Sequence, residues 1–204
     1  MKTDFPLSRA DLILAMQKGF RPKWAFFRGH TPARDGSITK SCFSQWWSRH
    51  PFEIDGIHYA TAEHYMMAEK ARLFGDQSHL TSILVAKSPA IAKKLGRHVV
   101  GFDDTIWLEH RWRIVVRANT AKFSQHEVLR HFLLQSGERI LVEASPYDRI
   151  WGIGMAADHP DAERPQSWKG INLLGFALME VRRCISAAFG GQTGNGMSAF
   201  SHHE

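Results

Sequence analysis

Thr61-Ala62-Glu63-His64-Tyr65-Met66-Met67-Ala68-Glu69-Lys70-Ala71-Arg72-Leu73-Phe74 is the stretch on which the reading of this chain turns. It is rich in strong helix formers, and Thr61 offers an N-cap. At about 100° per residue, Met66, Met67, Leu73 and Phe74 share one side of the predicted helix. Glu63 and Lys70 fall in the middle of that apolar stripe, whereas Glu69 and Arg72 lie off it. Seven residues are two turns, so the two Cα atoms stand roughly 10.5 Å apart along the axis. That separation strains a direct ion pair but lets both side chains reach one ligand. Unpaired buried charge is costly, so the pattern calls either for a ligand or for partners on other elements.

Working outward, further helices carry start and stop signals. Ser8 caps one through Leu12-Ile13-Leu14 to Gly19, and Ser88-Pro89 opens another that Gly96 closes. Ser124 and Glu127 have capping-box spacing for a helix through Leu133-Leu134 to Gly137. Asn172 is placed to cap a last helix running through Leu173, Leu174, Phe176, Leu178, Met179 and Val181. Strand signals are short: Phe26-Phe27, Phe52 to Tyr59 around an Asp55-Gly56 turn, and Ile140-Leu141-Val142. The expected fold is mainly α (α+β) with a small β element, in one domain over residues 24–189. A helical extension over 1–23 precedes it. The stretch Gly190-Gly191-Gln192-Thr193-Gly194-Asn195-Gly196 has linker composition, so 190–204 reads as a flexible tail, His202 and His203 included.

Composition narrows the class. The chain has 204 residues, 44% hydrophobic and 23% charged, which excludes wholesale disorder and a disulfide-packed miniprotein. No apolar run approaches the roughly 18 residues of a membrane span, and the charged start has no signal-peptide core. Cys42 and Cys184 lie far apart without metal-ligand spacing, so reduced thiols and a cytoplasmic protein are expected. The net charge is +6, which attracts nucleic acid or phosphorylated metabolites, but the positive residues are dispersed rather than gathered into an arm.

Three further segments place polar groups oddly. The predicted helix from Asp104 has an apolar side of Trp107, Ile114, Val115 and Ala118 that includes Arg111. Such an arginine either snorkels to solvent or grips phosphate or carboxylate, and Trp107 is placed to stack beside a planar base or simply to pack. Beyond Val142-Glu143-Ala144-Ser145, the loop Pro146-Tyr147-Asp148-Arg149-Ile150-Trp151-Gly152-Ile153-Gly154 leaves a strand end, where scaffolded chemistry commonly sits. Gly152-x-Gly154 lacks the third glycine of a dinucleotide fingerprint. Trp168-Lys169-Gly170-Ile171-Asn172 enters a helix whose N-terminus suits phosphate, though a plain Asn cap explains Asn172 equally. The chain contains no GxSxG, P-loop, HExxH or Cys-x-x-Cys.

An ordered series of motifs runs through these residues. It begins with Phe26-Phe27, then Phe52-x-x-Asp55-Gly56-x-x-Tyr59-x-Thr61-x-Glu63-His64-Tyr65, Lys70-Ala71, Gly96-Arg97 and Trp107. It continues with Lys122-Phe123, Leu133-Leu134, Glu143-Ala144-Ser145, Asp148-x-x-Trp151-Gly152-x-Gly154 and Gly170-x-Asn172-x-Leu174-Gly175. In order and spacing, over about residues 24 to 187, the sequence resembles the NADAR family, also called YbiA-like proteins. Two positions depart from the common pattern: Ser44-Gln45-Trp46 stands where many members have Ser-Asn-aromatic, and Ile153 where some have an acidic residue.

The resemblance implies a mainly helical domain that cleaves N-glycosidic bonds of ribosyl compounds. Two substrate types are associated with it: phosphoribosylamino-pyrimidine intermediates of riboflavin synthesis, and ADP-ribosylated guanine in DNA or RNA. It implies no cofactor and no metal, and the sequence leaves the oligomeric state open. Breaking such a bond builds positive charge on the ribose, which a carboxylate stabilises while a proton donor assists the leaving nitrogen. Glu63, Lys70 and Asp148 are the implied catalytic residues, Glu63 and Asp148 being the carboxylates. Lys70 either holds phosphate or a hydroxyl, or attacks C1 and forms a Schiff base with the opened ribose. Phe27, Arg28, Trp107, Arg111, Trp151, Gly152, Lys169 and Asn172 form the implied substrate-binding set, with the tryptophans flanking base or ribose, Arg111 and Lys169 on phosphates and Asn172 on a hydroxyl. The competing reading is a module that binds ADP-ribose or NAD without turning it over. A plain nucleic-acid binder is the third, and it would show steep salt dependence.

Overall fold

Polar caps set most of the helix starts in the computed structural model, which describes residues 5–189. Ser8 caps α1 (Arg9–Gln17), Thr61 caps α2 (Ala62–Leu73) and Asp76 caps α3 (Gln77–Leu84). Ser88 caps α4 (Pro89–Gly96) and Asp103 caps α5 (Asp104–Gln125). In each, a side-chain oxygen accepts a first-turn N–H that the helix itself leaves over. With α6 (Glu127–Gln135) and α7 (Leu173–Phe189) the described residues hold seven helices. Four short strands accompany them: β1 (Trp24–Phe27), β2 (Phe52–Ile54), β3 (Ile57–Tyr59) and β4 (Ile140–Glu143). The protein is therefore mainly α with two two-stranded sheets.

α2 packs against α3, α4 and α5, and everything from Ala62 to Ala68 is buried. The anticipated single stripe is thus replaced by burial all round in the first two turns. Alanines at 62, 68 and 71, all fully buried, let three helices approach this one. His64 is satisfied within the fold, its ring nitrogens lying 2.7 Å from Thr61 Oγ1 and 3.0 Å from the Ala86 carbonyl.

The β2–β3 hairpin turns at Asp55 and Gly56, both at positive φ, the backbone that matches strand twist in a two-residue turn. β1 and β4 pair in parallel, from Trp24 against Ile140 to Phe27 against Glu143. Parallel pairing makes both strands end at one edge, so the segments after Phe27 and after Glu143 emerge side by side. α7 covers β4, and α1 joins the same core through fully buried Leu12, with Arg9 donating to the Pro165 and Gln166 carbonyls.

Several expectations need correction. Ser124 opens no helix: α5 runs on to Gln125, because its buried row Val115, Ala118, Asn119, Lys122 and Phe123 continues to that point. The break falls at His126, whose ring contacts the Pro51 carbonyl. Asn172 precedes α7 at φ 55 but does not cap it with its side chain, which is spent on β4: Nδ2 donates to the Leu141 carbonyl and Oδ1 accepts the Glu143 N–H, each at 2.9 Å. Arg111 and Trp107 are only half-buried, since they stand on the turns before the buried row begins at Val115. α3 carried no anticipated signal. Cys42 and Cys184 are free thiols, with burial pushing Cys42 up to about 12. The expected tail, with His202 and His203, lies outside the described residues. Among those residues no helix is long and apolar enough to cross a membrane.

Glycine spacing tests this packing. A Cβ at Gly175 would stand 2.1 Å from the Leu141 carbonyl oxygen, while one at Gly96 would meet the Met67 side chain at 2.1 Å. A backbone carbonyl in a sheet cannot swing aside as a methionine can. Gly175→Ala is expected to cost about 1–3 kcal/mol of stability and Gly96→Ala less, as read from urea midpoints.

Candidate active site

The shared edge of β1 and β4 faces α2 and α4 across a cavity of about 580 Å³. Glu63, Met66, Met67 and Lys70 line it from α2, and Lys93, Gly96 and Arg97 from α4. Trp107 closes one end from α5. The strand ends supply Arg28, Gly29 and His30 on one side and Glu143, Ser145, Asp148, Ile150 and Trp151 on the other. Ser44, Gln45 and Trp46 complete the wall.

Two carboxyl groups stand in this wall, Glu63 buried and Glu143 half-buried, each with one oxygen shut off from solvent. Glu63 is 3% exposed. Its Oε1 has no hydrogen-bond partner, and neither has Oε2 of Glu143, each atom being shut off from solvent. Burial is the main cause that pushes Glu63 up to about 7, with Lys93, the Trp46 indole and Arg97 pulling the other way and Asp148 adding to the rise. Burial likewise pushes Glu143 up to about 8, aided by Asp148 and Glu63 and opposed by Lys93. Asp148 is engaged differently: its Oδ1 accepts the Ile150 and Trp151 N–H groups at 2.9 and 2.7 Å, which folds the loop and turns Trp151 toward the cavity.

Lys70 occupies the opposite end. Its Nζ donates to the Gly96 carbonyl at 2.9 Å and lies 3.8 Å from the Phe102 ring centroid and 5.8 Å from that of Trp107. No carboxylate is within ion-pair distance of it among the described residues. Burial lowers its pKa, partly offset by Asp104. At the rim, Lys93 sits over Trp46 and Arg28 over Tyr147.

Of the residues singled out from sequence, Glu63, Lys70, Asp148, Arg28, Trp107 and Trp151 therefore come together in one cavity. The others do not reach it. Phe27 is core, packed on Phe43. Arg111, half-buried and facing Asp104, and Lys169, exposed, are not in the lining. Gly152 serves the scaffold: a Cβ there would stand 2.8 Å from the Glu143 carbonyl, whose oxygen accepts the Ile153 N–H. Asn172 is committed to β4, as described above.

Sequence reasoning missed Glu143, Gln45, Lys93 and Arg97 in the wall, and Asn119 and Lys122 behind it. Asn119 donates to Gln45 Oε1 at 2.8 Å, and the Gln45 carbonyl accepts the Glu63 N–H at 3.0 Å. Lys122, fully buried, donates to the Cys42 and Ser44 carbonyls, and burial lowers it to about 8. One available signal was a carboxylate ending the wholly apolar run Ile140-Leu141-Val142. The other was the i, i+3 spacing of Asn119 and Lys122 on a buried helix face.

A larger cleft of about 1060 Å³ lies between α5, α2 and the β2–β3 hairpin. Its charges are largely spoken for, Arg72 by Glu69 and Arg117 by both oxygens of Asp55, so unsatisfied carboxylates single out the smaller cavity. Among the described residues no group of three or more His, Cys, Asp or Glu could hold a metal ion.

Comparison with known proteins identifies the family and the fold. The pattern of the NADAR domain family matches residues 26–186. The chain is 42% identical over 164 residues to N-glycosidase R617 of Acanthamoeba polyphaga mimivirus, covering 78% of this chain and 95% of that one. It is 33% identical over 146 residues to N-glycosidase YbiA of Escherichia coli strain K12, covering 72% and 80% respectively. The fold is similar to the NMR structure of the E. coli protein YbiA, with TM-score 0.63 and 26% identity over 90% of this chain and 94% of that one.

A carboxyl raised by burial has a signature in stability. Glu63 favours the folded state fully below its unfolded value of about 4.5, and that contribution is lost as pH rises through about 7. Glu63→Gln removes the titration. The variant is expected to gain about 1–3 kcal/mol on the wild type between about pH 5 and pH 8, measured as the difference in urea midpoints at the two pH values.

Proposed function

The chain belongs to the NADAR family, and from that premise we propose that it is an N-glycosidase hydrolysing the bond between ribose C1 and a base nitrogen. The observation that carries this reading is one cavity holding a buried, unpartnered carboxylate, Glu63, and at its far end an amine of lowered pKa, Lys70. A module that only bound ADP-ribose would gain nothing from either, and both are costly to bury.

Cleavage runs through a cationic ribose. Glu63 faces that charge as a carboxylate, and Asp148 holds the Trp151 loop that borders the sugar. Trp46, Trp107 and Trp151 offer aromatic surface for ribose and base. Arg28, Lys93 and Arg97 at the rim suit the phosphates of a phosphoribosyl or ADP-ribosyl group. This assigns the phosphate role to rim cations in place of Arg111 and Lys169.

Lys70 acts covalently in this reading. Its neutral amine attacks C1 as the C1–N bond breaks, the bond's electron pair leaving with the base, which takes up a proton. Opening of the sugar ring leaves an imine between Nζ and C1. Water then hydrolyses the imine, releasing the free sugar and restoring the amine. The Gly96 carbonyl and the Phe102 and Trp107 rings hold Nζ in place for this attack.

The test offers two substrates, DNA bearing ADP-ribosylated guanine and a phosphoribosylamino-pyrimidine, with and without cyanoborohydride, read by mass spectrometry. Release of ADP-ribose or of free pyrimidine identifies the substrate class. A sugar fixed to Lys70 by reduction, together with loss of turnover in Lys70→Ala, is the expected result. Turnover that survives Lys70→Ala removes the lysine from the chemistry, and no product from either compound returns the weight to a binding module.

A further inference from the structure

Departure of a base nitrogen needs a proton at the moment the bond breaks, and the residues discussed so far leave its source unnamed. Asp148 spends Oδ1 accepting two backbone N–H groups, a task for an acceptor. Lys70 must be neutral to attack. Glu63 feels both Lys93 and Arg97, which favour its ionised form. Resting on the N-glycosidase reading of this cavity, we propose that Glu143 is a further catalytic residue: it carries the proton given to the leaving nitrogen, and with Glu63 it forms a pair holding a single negative charge.

The geometry is specific. Glu143 is the last residue of β4, and its backbone is held on three sides: by pairing with Phe27, by its N–H to Asn172 Oδ1, and by its carbonyl to the Ile153 N–H. So fixed, its side chain enters the same cavity as that of Glu63, and each carboxyl keeps one oxygen sealed from solvent and without a partner. Two carboxylates that each hold a sealed, unpartnered oxygen in one cavity cannot both ionise cheaply. Their surroundings decide which does. Glu63 has Lys93, Arg97 and the Trp46 indole on its side, whereas Glu143 has Lys93 alone, set against Asp148 and Glu63. The remaining ionisable wall, Lys70 of α2 with Arg28 and His30 beyond β1, lies at the cavity's other boundaries. On this placing Glu63 ionises first and Glu143 keeps its proton, both carboxyls being raised by burial.

The step balances. The Glu143 O–H gives its proton to the base nitrogen as the C1–N electron pair goes to that nitrogen, leaving Glu143 as carboxylate. The attacking Lys70 amine sheds one proton on forming its bond to C1, and water in the cavity relays it to the Glu143 carboxylate. Water then hydrolyses the imine, so the net change is ribosyl–base plus water to ribose plus the free neutral base, which keeps the proton on its nitrogen, with both residues restored.

The experiment titrates the full chain labelled with 13C at glutamate carboxyls, in wild type, Glu143→Gln and Glu63→Gln, alongside pH–rate profiles on the two ribosyl substrates above. Two glutamate signals are expected to titrate above about pH 6 in the wild type, with Glu143→Gln deleting the later one. Glu63→Gln should lower the Glu143 midpoint by about one unit, because it removes a neighbouring negative charge. In turnover, Glu143→Gln should reduce kcat by roughly 10²–10⁴-fold and abolish the alkaline fall that loss of the Glu143 proton imposes. A Glu143 carboxyl that titrates in the ordinary range overturns the proposal whether or not a substrate is found, as does a Glu143→Gln enzyme with unchanged kcat and an unchanged alkaline limb. Silence on both substrates would instead overturn the N-glycosidase reading, with the wild-type titration still deciding the proton.

Discussion

Asn172 joins the start of α7 to the end of β4, and the site depends on that junction. Among the described residues β4 is paired on one edge only, by β1. On its other edge the amide of Asn172 substitutes for a neighbouring strand, donating to Leu141 and accepting from Glu143. Buried backbone groups must be paired somewhere, and one side chain settles two of them. The arrangement works only if backbones can close in, hence glycines at 152, 170 and 175, where a Cβ would come within 2.8 Å of a main-chain oxygen. The result is a strand end whose position is set by hydrogen bonds on both sides. Glu143 and the loop carrying Asp148 and Trp151 take their places from it.

A second framework holds the opposite wall. Lys122 is fully buried and binds the Cys42 and Ser44 carbonyls, while Asn119 binds Gln45, whose carbonyl in turn receives the N–H of Glu63. Two polar residues on the buried face of α5 thus fix the segment that brings Gln45 and Trp46 against Glu63. Burying an ammonium here is unfavourable in itself, as the lowering of Lys122 to about 8 records. Apolar residues would pack the same space without that cost, but they could not hold two carbonyls of an irregular segment in a fixed register.

How much of this was legible in the chain depends on the kind of signal. Caps such as Ser8, Thr61 and Ser88 act locally, so the helix starts they set could be read from neighbouring residues. Glu63 and Lys70 stood out because charge on a helical apolar stripe violates the helix period. Glu143 violates no period: it ends a strand buried along its whole apolar run, where a polar residue is the expected terminus. Asn172 was legible as special but not in its role, because a partner 31 residues away in β4 outcompeted the local cap. Ser124 failed for a similar reason, the tertiary contact of Phe123 keeping α5 helical past a sound capping box. The partners of Asn119 and Lys122 lie more than 70 residues away, so their i, i+3 spacing marks a buried polar pair without showing what it binds.

One physical cause organises the chemistry across the cavity. Desolvation penalises the charged form of any group, whatever its sign. It therefore raises the carboxyls of Glu63 and Glu143 and lowers the amine of Lys70 with the same burial. The proposed cleavage requires three states at one pH: a protonated donor, an ionised carboxylate and an unprotonated nucleophile. In water near neutrality two glutamates and a lysine would supply only the second. Burial moves donor and nucleophile toward the needed state together, and Arg97, which acts on Glu63 and not on Glu143, separates the two acids. The two-turn spacing of Glu63 and Lys70 then keeps amine and carboxylate from neutralising one another, leaving between them the room that a ribose would fill.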